Sequence, residues 1–428
     1  METSYATAGG ATLVTLIEVL GAWGAHDRDN PFPTYSEVRK HGPVHRVTLV
    51  DGHDAWLVVG YDEARAALND ARMSKDMLAA LASGDAVVAE GLPGPAFARH
   101  MLSVDPPDHS RLRGLVSKAF TPRRVEELRP RVRMLIDELL EAIAAQGPDA
   151  RVDLVSSFAF PLPFSVICEL LGVPDADRGP LGRGLTALLV PTTTPEEYAR
   201  AKEASDLVVG MLEDLVRTKQ REPDDALVSG LISARDGAER LSTQELLSTI
   251  FQLIVAGHDT TASFIGNAVV ALLTHPDQLA EVRTDPASLQ AAVEELLRYD
   301  APVPHSTFRY TVADVELGDM TIPAGAQVII SLAAANRDSE QYPDADGLDL
   351  DRPRARHLAF GYGIHHCLGA PLARMEGQLA LASLLQKFPG LRLAVPVQEL
   401  HWSHGDGLVL RGLSELPVVP GPAASPAK

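Results

Sequence analysis

The sequence predicts a mainly α protein with a minor β part, and three observations carry that prediction. Over most of the 428 residues, apolar side chains recur at three- and four-residue spacing, the period of helices packed on one face. Strand-like alternation is confined to a few short stretches. The 33 glycines and 31 prolines are scattered as single turn markers, so no flexible linker divides the chain.

Taken in order, residues 1–29 read as an N-terminal extension that frays over its first ten. Residues 47–60 read as a hairpin turning at Asp51-Gly52. Residues 123–145 place Val125, Leu128, Val132, Leu135, Ile136, Leu139, Leu140 and Ile143 on one helical face. Cys168 falls in a short apolar helix over 164–171 and reads as core. Ser242-Thr-Gln-Glu245 is a capping box opening a helix expected to run to about His275-Pro276. At 1.5 Å per residue that helix is roughly 50 Å long, enough to cross a domain. Strands over 312–317 and 327–332 flank the turn Pro323-Ala-Gly325, a helix follows over about 368–388, and residues 420–428 are expected to be a disordered tail.

A net charge of −19 argues against a general nucleic-acid binder. Two cysteines, Cys168 and Cys367, exclude a disulfide framework and a four-cysteine metal site. The apolar stretch 11–25 contains Glu18 and is preceded by no Lys or Arg, unlike a secretory signal, and no run approaches the ~20 apolar residues of a membrane span. The expectation is a soluble, cytoplasmic protein that binds no membrane.

Chemistry concentrates in four groups of residues. Cys367 lies in Phe360-Gly-Tyr-Gly-Ile-His-His-Cys-Leu-Gly369, directly before a helix, where the dipole and free amides favour a thiolate. Closely spaced glycines let a flat ligand approach. Such a cysteine is a nucleophile, a redox sensor, an axial ligand of haem iron, or simply a buried structural residue. Ala256-Gly-His-Asp-Thr-Thr261 sits mid-helix, where glycine, an acid and two threonines are poor choices. A threonine back-bond there would widen the helix and leave a polar notch, with Asp259 as proton donor beside the Thr260 hydroxyl; the bland alternative is a packing glycine. Glu295-Leu-Leu-Arg298, taken alone, is a surface i,i+3 ion pair. His109, Arg113 and Arg309 are groups suited to bind carboxylates.

Together these motifs resemble the cytochrome P450 family of haem-thiolate monooxygenases, over about residues 30–419. The resemblance implies one haem-containing domain with the triangular prism fold. It makes Cys367 the axial ligand of haem b, and His109, Arg113, Arg309 and His365 the propionate-binding residues. Ala256, Phe360, Gly361 and Gly369 would line the haem, and Asp259 and Thr260 would relay protons. Glu295, Arg298 and Arg352 would lock together beneath the haem. Leu348 stands where the family usually has phenylalanine, which puts the Arg352 assignment in question, and Asp259 stands where relatives often have Glu.

Phrases such as Ala55-Trp-Leu-Val-Val-Gly-Tyr61 are similar to soluble bacterial class I members that tailor macrolides and polyketides; related enzymes take steroids. That likeness implies hydroxylation or epoxidation with O2 and electrons from NAD(P)H through ferredoxin reductase and ferredoxin, by a monomer acting on a bulky lipophilic molecule. A peroxygenase, a haem sensor and a cysteine hydrolase are the rivals, and the acid–alcohol pair argues against the first. Eight basic residues against two acids over 111–133 suggest a ferredoxin-docking face on the cysteine side. Residues 77–101 and 179–195, rich in Gly and Pro, read as loops over the ligand. Leu188, Leu189, His258, Val303, His305, Thr307 and Val409 are the expected pocket residues.

Overall fold

The computed structural model describes residues 6–8, 11–15, 29–49, 54–76, 97, 99–189, 194–234, 240–284, 288–353, 356–403 and 410–424. Its helices are α1 (Phe32–Arg39), α2 (Tyr61–Asn69), α3 (Asp108–Ala119), α4 (Pro122–Ala144), α5 (Pro161–Leu171), α6 (Asp175–Leu189), α7 (Pro195–Arg221), α8 (Leu227–Ser233), α9 (Thr243–Thr274), α10 (Pro276–Thr284), α11 (Leu289–Tyr299), α12 (Leu332–Ala335) and α13 (Ala370–Lys387). The strands are β1 (Ala6–Ala8), β2 (Ala11–Thr15), β3 (Val44–Thr48), β4 (Asp54–Val58), β5 (Met73–Ser74), β6 (Val152–Asp153), β7 (Arg309–Thr311), β8 (Val315–Leu317), β9 (Met320–Ile322), β10 (Gln327–Ile330), β11 (Arg392–Leu393), β12 (Trp402–Ser403), β13 (Gly412–Leu413) and β14 (Pro417–Val419). No single helix among the described residues is long and apolar enough to cross a membrane.

The long helix α9 organises the molecule. Both halves of its capping box form: Ser242 Oγ accepts from the Glu245 amide, and the Glu245 carboxylate accepts from the Ser242 amide. From Ala262 to Leu272 it is buried almost all round, and it packs against α5, α13 and β13. An apolar helix surrounded on every side needs other helices as its solvent, which explains the mainly α architecture. The helix α4 forms as its periodicity requires, capped by the Thr121 hydroxyl at the Arg124 amide, with Val125, Val132, Leu135, Ile136, Leu140 and Ile143 buried.

The β part is a seven-stranded sheet in the order β1-β2-β3-β4-β10-β7-β5, plus three small sheets. The expected hairpin is β3–β4, paired antiparallel from Val44↔Val58 to Thr48↔Asp54. Three expectations need correction. Residues 312–317 and 327–332 are not partners across one turn: β8 folds onto β9 through Gly318-Asp319, while β10 pairs with β4 and β7. The two-residue turn at Gly318, with φ +57°, is what the reading overlooked. The N-terminal extension contributes β1 and β2, with β2 parallel to β3. At the other end, the Gly421 amide donates to Pro148 O (3.0 Å) and the Ala424 amide to Lys387 O (2.8 Å), so the tail is held as far as Ala424.

The expected loop over 179–195 is mostly helix. Asp175 and Asp177 sit in the first turn of α6, where they complement the helix dipole, and Leu181 and Leu185 are fully buried. Leu181, Leu185 and Leu188 lie at i, i+4 and i+7, a helical stripe that outweighs Pro180 and three glycines. Of the other expected loop, residues 77–96 and 98 lie outside the described residues.

Candidate active site

The loop before α13 is shaped by backbone conformation. Gly361 and Gly363 have φ of +70° and +73°, the left-handed region, and a Cβ at Gly363 would meet Leu68 O of α2 at 2.9 Å. The Cys367 amide donates to Phe360 O (2.9 Å), closing the loop. The cysteine keeps exposed surface although protein surrounds it closely. Burial pushes its thiol up, and the Gly369 and Ala370 amides with Arg113 and Arg374 pull it down less strongly. The helix start alone therefore does not hold a thiolate here; a coordinated metal, which deprotonates a thiol outright, would. Phe360 lies under the Arg374 guanidinium (4.5 Å to the ring centre). Arg374 in turn makes a two-pronged bond to Glu294 (2.7 and 2.8 Å), which His357 also reaches at 3.2 Å.

In α9 the helix stays α-helical through 256–261, without the expected widening. The Thr260 hydroxyl donates to Ala256 O (2.8 Å), the expected back-bond. Asp259 turns to His258, with Oδ1 3.1 Å from Nε2.

A cationic cluster is gathered from distant parts of the chain: Lys75 after β5, His109 and Arg113 on α3, Arg309 on β7 and His365 in the cysteine loop. Lys75 and Arg309 are buried, and Lys75 Nζ bonds Thr307 Oγ1. His109 and His365 rings lie 4.4 Å apart. Both His109 nitrogens, Arg309 Nε and His365 Nε2 are buried without a hydrogen-bond partner among the described residues. Burial, then Lys75, Arg309, His109 and Arg113, push the His365 pKa down to about 2. Burial lowers Arg309 to about 10, opposed by Asp105, and burial with Lys75 lowers His100 to about 4. Orphaned polar atoms beside buried cations mark a site built for anions.

A cytochrome P450 family model matches residues 185–393. The chain is 46% identical, over 399 residues, to the mycinamicin IV hydroxylase/epoxidase of Micromonospora griseorubida, covering 90% of this chain and 94% of that one. The chain belongs to the cytochrome P450 family. It is also 42% identical over 397 residues to the vitamin D(3) 25-hydroxylase of Pseudonocardia autotrophica (92% of this chain, 95% of that one). The solved tirandamycin C-bound P450 monooxygenase TamI matches with a TM-score of 0.80 at 42% identity, covering 92% of this chain and 98% of that one. The protein is thus a P450 monooxygenase with the P450 fold, and membership implies haem and dioxygen.

The residues of this P450 fit haem. A glycine-framed cysteine stands ready as axial ligand, and the unsatisfied cationic cluster suits two propionates. Arg113 spends Nη2 on His366 O (2.6 Å), which ties α3 to the cysteine loop. Lys75 is a member of the cluster that sequence reasoning missed; it stands in no motif, and only the fold brings it beside Arg309 and His365.

The Glu295–Arg298 pair is not the surface pair its spacing alone suggests. Arg298 is 1% exposed, bonds Glu295 twice at 2.7 Å, and donates to Asn336 O, Ala345 O and Gly347 O. Arg352 joins Glu295 at 3.1 Å despite Leu348 upstream. An arginine whose donors meet carbonyls of three separate positions clamps that segment.

Among the expected pocket residues, two have ring nitrogens engaged by protein groups. His258 is buried between the Phe160 and Phe164 rings, with Nδ1 on Ile254 O and Nε2 on Asp259. His305 is buried and bonded to Tyr35 Oη (3.0 Å). Thr307 accepts from Lys75, while Leu188 and Val303 are half-buried against the core. The Leu189 side chain and Val409 lie outside the described residues.

Proposed function

We propose that this P450 hydroxylates or epoxidises a bulky, lipophilic macrolide- or polyketide-like molecule in the cytoplasm, as a monomer. Electrons come from NAD(P)H through ferredoxin reductase and an acidic ferredoxin. The observation that carries the reading is the orphaned cationic cluster beside the glycine-framed Cys367. When bound, haem supplies the activation of dioxygen and the insertion of one oxygen atom.

The chain's own groups do the rest. When haem is bound, the Cys367 thiolate would hold its iron, Lys75, Arg113 and Arg309 would neutralise its carboxylates, and His109 and His365 would give them hydrogen bonds. Glu295, Arg298 and Arg352 hold the segment preceding the cysteine loop. Thr260, released from Ala256 O, turns its hydroxyl outward to orient water, and Asp259 carries protons toward it. Leu188 and Val303 offer apolar contact to a ligand that gains affinity by burial, at about 25 cal/mol per Å².

The reduced carbon-monoxide complex should show the red-shifted Soret band of thiolate ligation, and Cys367→Ser should abolish it even where haem stays bound. Survival of that band would remove Cys367 from the iron. A ligand panel read by the low-to-high-spin shift identifies the substrate class. A steroid-like ligand is the second reading, favoured by the identity to the vitamin D(3) 25-hydroxylase; preference for steroids over macrolides in the same panel would establish it.

A further inference from the structure

His258 was expected to face the ligand, but the structure commits both its nitrogens elsewhere. Nδ1 lies 2.6 Å from Ile254 O. A carbonyl only accepts, so Nδ1 carries a hydrogen. That fixes the ring's other edge: Nε2, 3.1 Å from Asp259 Oδ1, is an acceptor when the ring is neutral and a donor when it is charged. At that distance the two groups suit one proton between them, as imidazolium with carboxylate or as imidazole with carboxylic acid. Phe160 and Phe164 meet the ring edge-on at 5.3 and 5.4 Å between centres, and neither ionises. Asp259 is the acid within salt-bridge reach of His258 among the described residues.

We propose that His258 is a positioning residue of proton delivery: with Asp259 it stores one proton, latched between Nε2 and Oδ1, for transfer toward Thr260. The proposal rests on the reading of Asp259 and Thr260 as proton carriers. The burial contrast suits the task. The His258 side chain is 4% exposed and walled by aromatic rings, whereas Asp259 is 29% exposed. Rotation of the Asp259 side chain breaks the latch and carries the proton one residue along the helix. Its departure leaves a neutral imidazole and a carboxylate, and water at the exposed Asp259 restores the proton. Without the ring, Asp259 would have no resting partner to keep it loaded.

Two measurements on the holoenzyme test this. In the reduced carbon-monoxide form, the 15N-histidine resonance that disappears in His258→Phe should report a protonated Nδ1 and should move in Asp259→Asn. An unprotonated Nδ1, or indifference to Asp259→Asn, overturns the pair. The second measurement is ligand-free NAD(P)H oxidation with a plant ferredoxin and its reductase, read as hydrogen peroxide released per dioxygen consumed. His258→Phe and His258→Gln should each raise that ratio about twofold or more, and His258→Phe with Asp259→Asn should be no worse than Asp259→Asn alone. Glutamine can bond the carboxylate but cannot release a proton, so a wild-type ratio in His258→Gln overturns storage. If Asp259→Asn raises the ratio and neither His258 variant does, the His258 role alone fails. If Asp259→Asn leaves it unchanged, the underlying relay reading fails and the storage role with it, while the resonance still reports whether the pair forms.

Discussion

Glu376 lies on α13, 1% exposed, with Oε2 lacking a hydrogen-bond partner among the described residues. Burial pushes its pKa up to about 8. The folded chain then keeps this proton up to about pH 8, whereas the unfolded chain releases it near 4.5. The site's contribution to stability is therefore full below pH 4.5 and declines as pH rises toward 8. Glu376→Gln should match the wild type in melting temperature near pH 4.5 and exceed it at pH 8.5. A difference independent of pH would refute the assignment. Lys75 gives a second prediction at this scale. A hydrogen bond to a charged group is worth about 1.5–3 kcal/mol, so Lys75→Met should speed haem transfer to an apo-globin about tenfold or more. An unchanged transfer rate would take Lys75 out of the propionate site.

At the scale of elements, α11 and α13 grip the cysteine loop through one carboxylate. Burial raises Glu294, yet hydrogen bonds from His357 and Arg374 outweigh it and hold the pKa at about 2. A depressed carboxyl contributes stability above its unfolded value of 4.5 that is lost as pH falls through about 2. Glu294→Gln should melt a few degrees lower at pH 7, and the deficit should shrink between pH 4.5 and 2. A constant deficit would mean that packing alone is lost. Elements whose signal is local were legible in the sequence: the capping box of α9, the periodicity of α4 and the glycine frame around Cys367. The helix α6 was hidden because Pro180 and its glycines resemble a loop, and its buried stripe shows only when residues 181, 185 and 188 are read together. Spacing cannot report depth, so Glu295–Arg298 looks the same on a surface as in the core, where it lies. The cationic cluster depends on four segments meeting, and its lysine stands in no motif.

Across the whole molecule, the proposed electron donor raises the question of how a chain of net charge −19 would receive an acidic ferredoxin. The Arg113 bond to His366 O places α3 against the cysteine loop, so the face formed by α3, α4 and α8 adjoins the thiolate side. A cleft there is lined by Lys118, Thr121, Arg123, Arg124, Glu127 and Ser233. The excess of bases over 111–133 overstates what this face presents. Arg111 pairs with Glu245, Arg129 with Glu126 and Arg131 with Glu169, and Arg124 is spent on Ala119 O and Asp225 O. Arg123, 89% exposed, has only an i,i+4 pair with Glu127, which is worth little in water, and Arg133 is exposed. Steering by two such charges acts over a Debye length of about 10 Å at 0.1 M salt. Charge reversal at Arg123 and Arg133 together should therefore slow reduction by an acidic ferredoxin several-fold at low salt. The difference should vanish at high salt, and the ligand-induced spin shift should keep its affinity. Arg124→Glu should instead lower the melting temperature, because that side chain braces α3 to the turn before α8. Equal reduction rates for the wild type and the double variant across a salt series would move the docking site elsewhere.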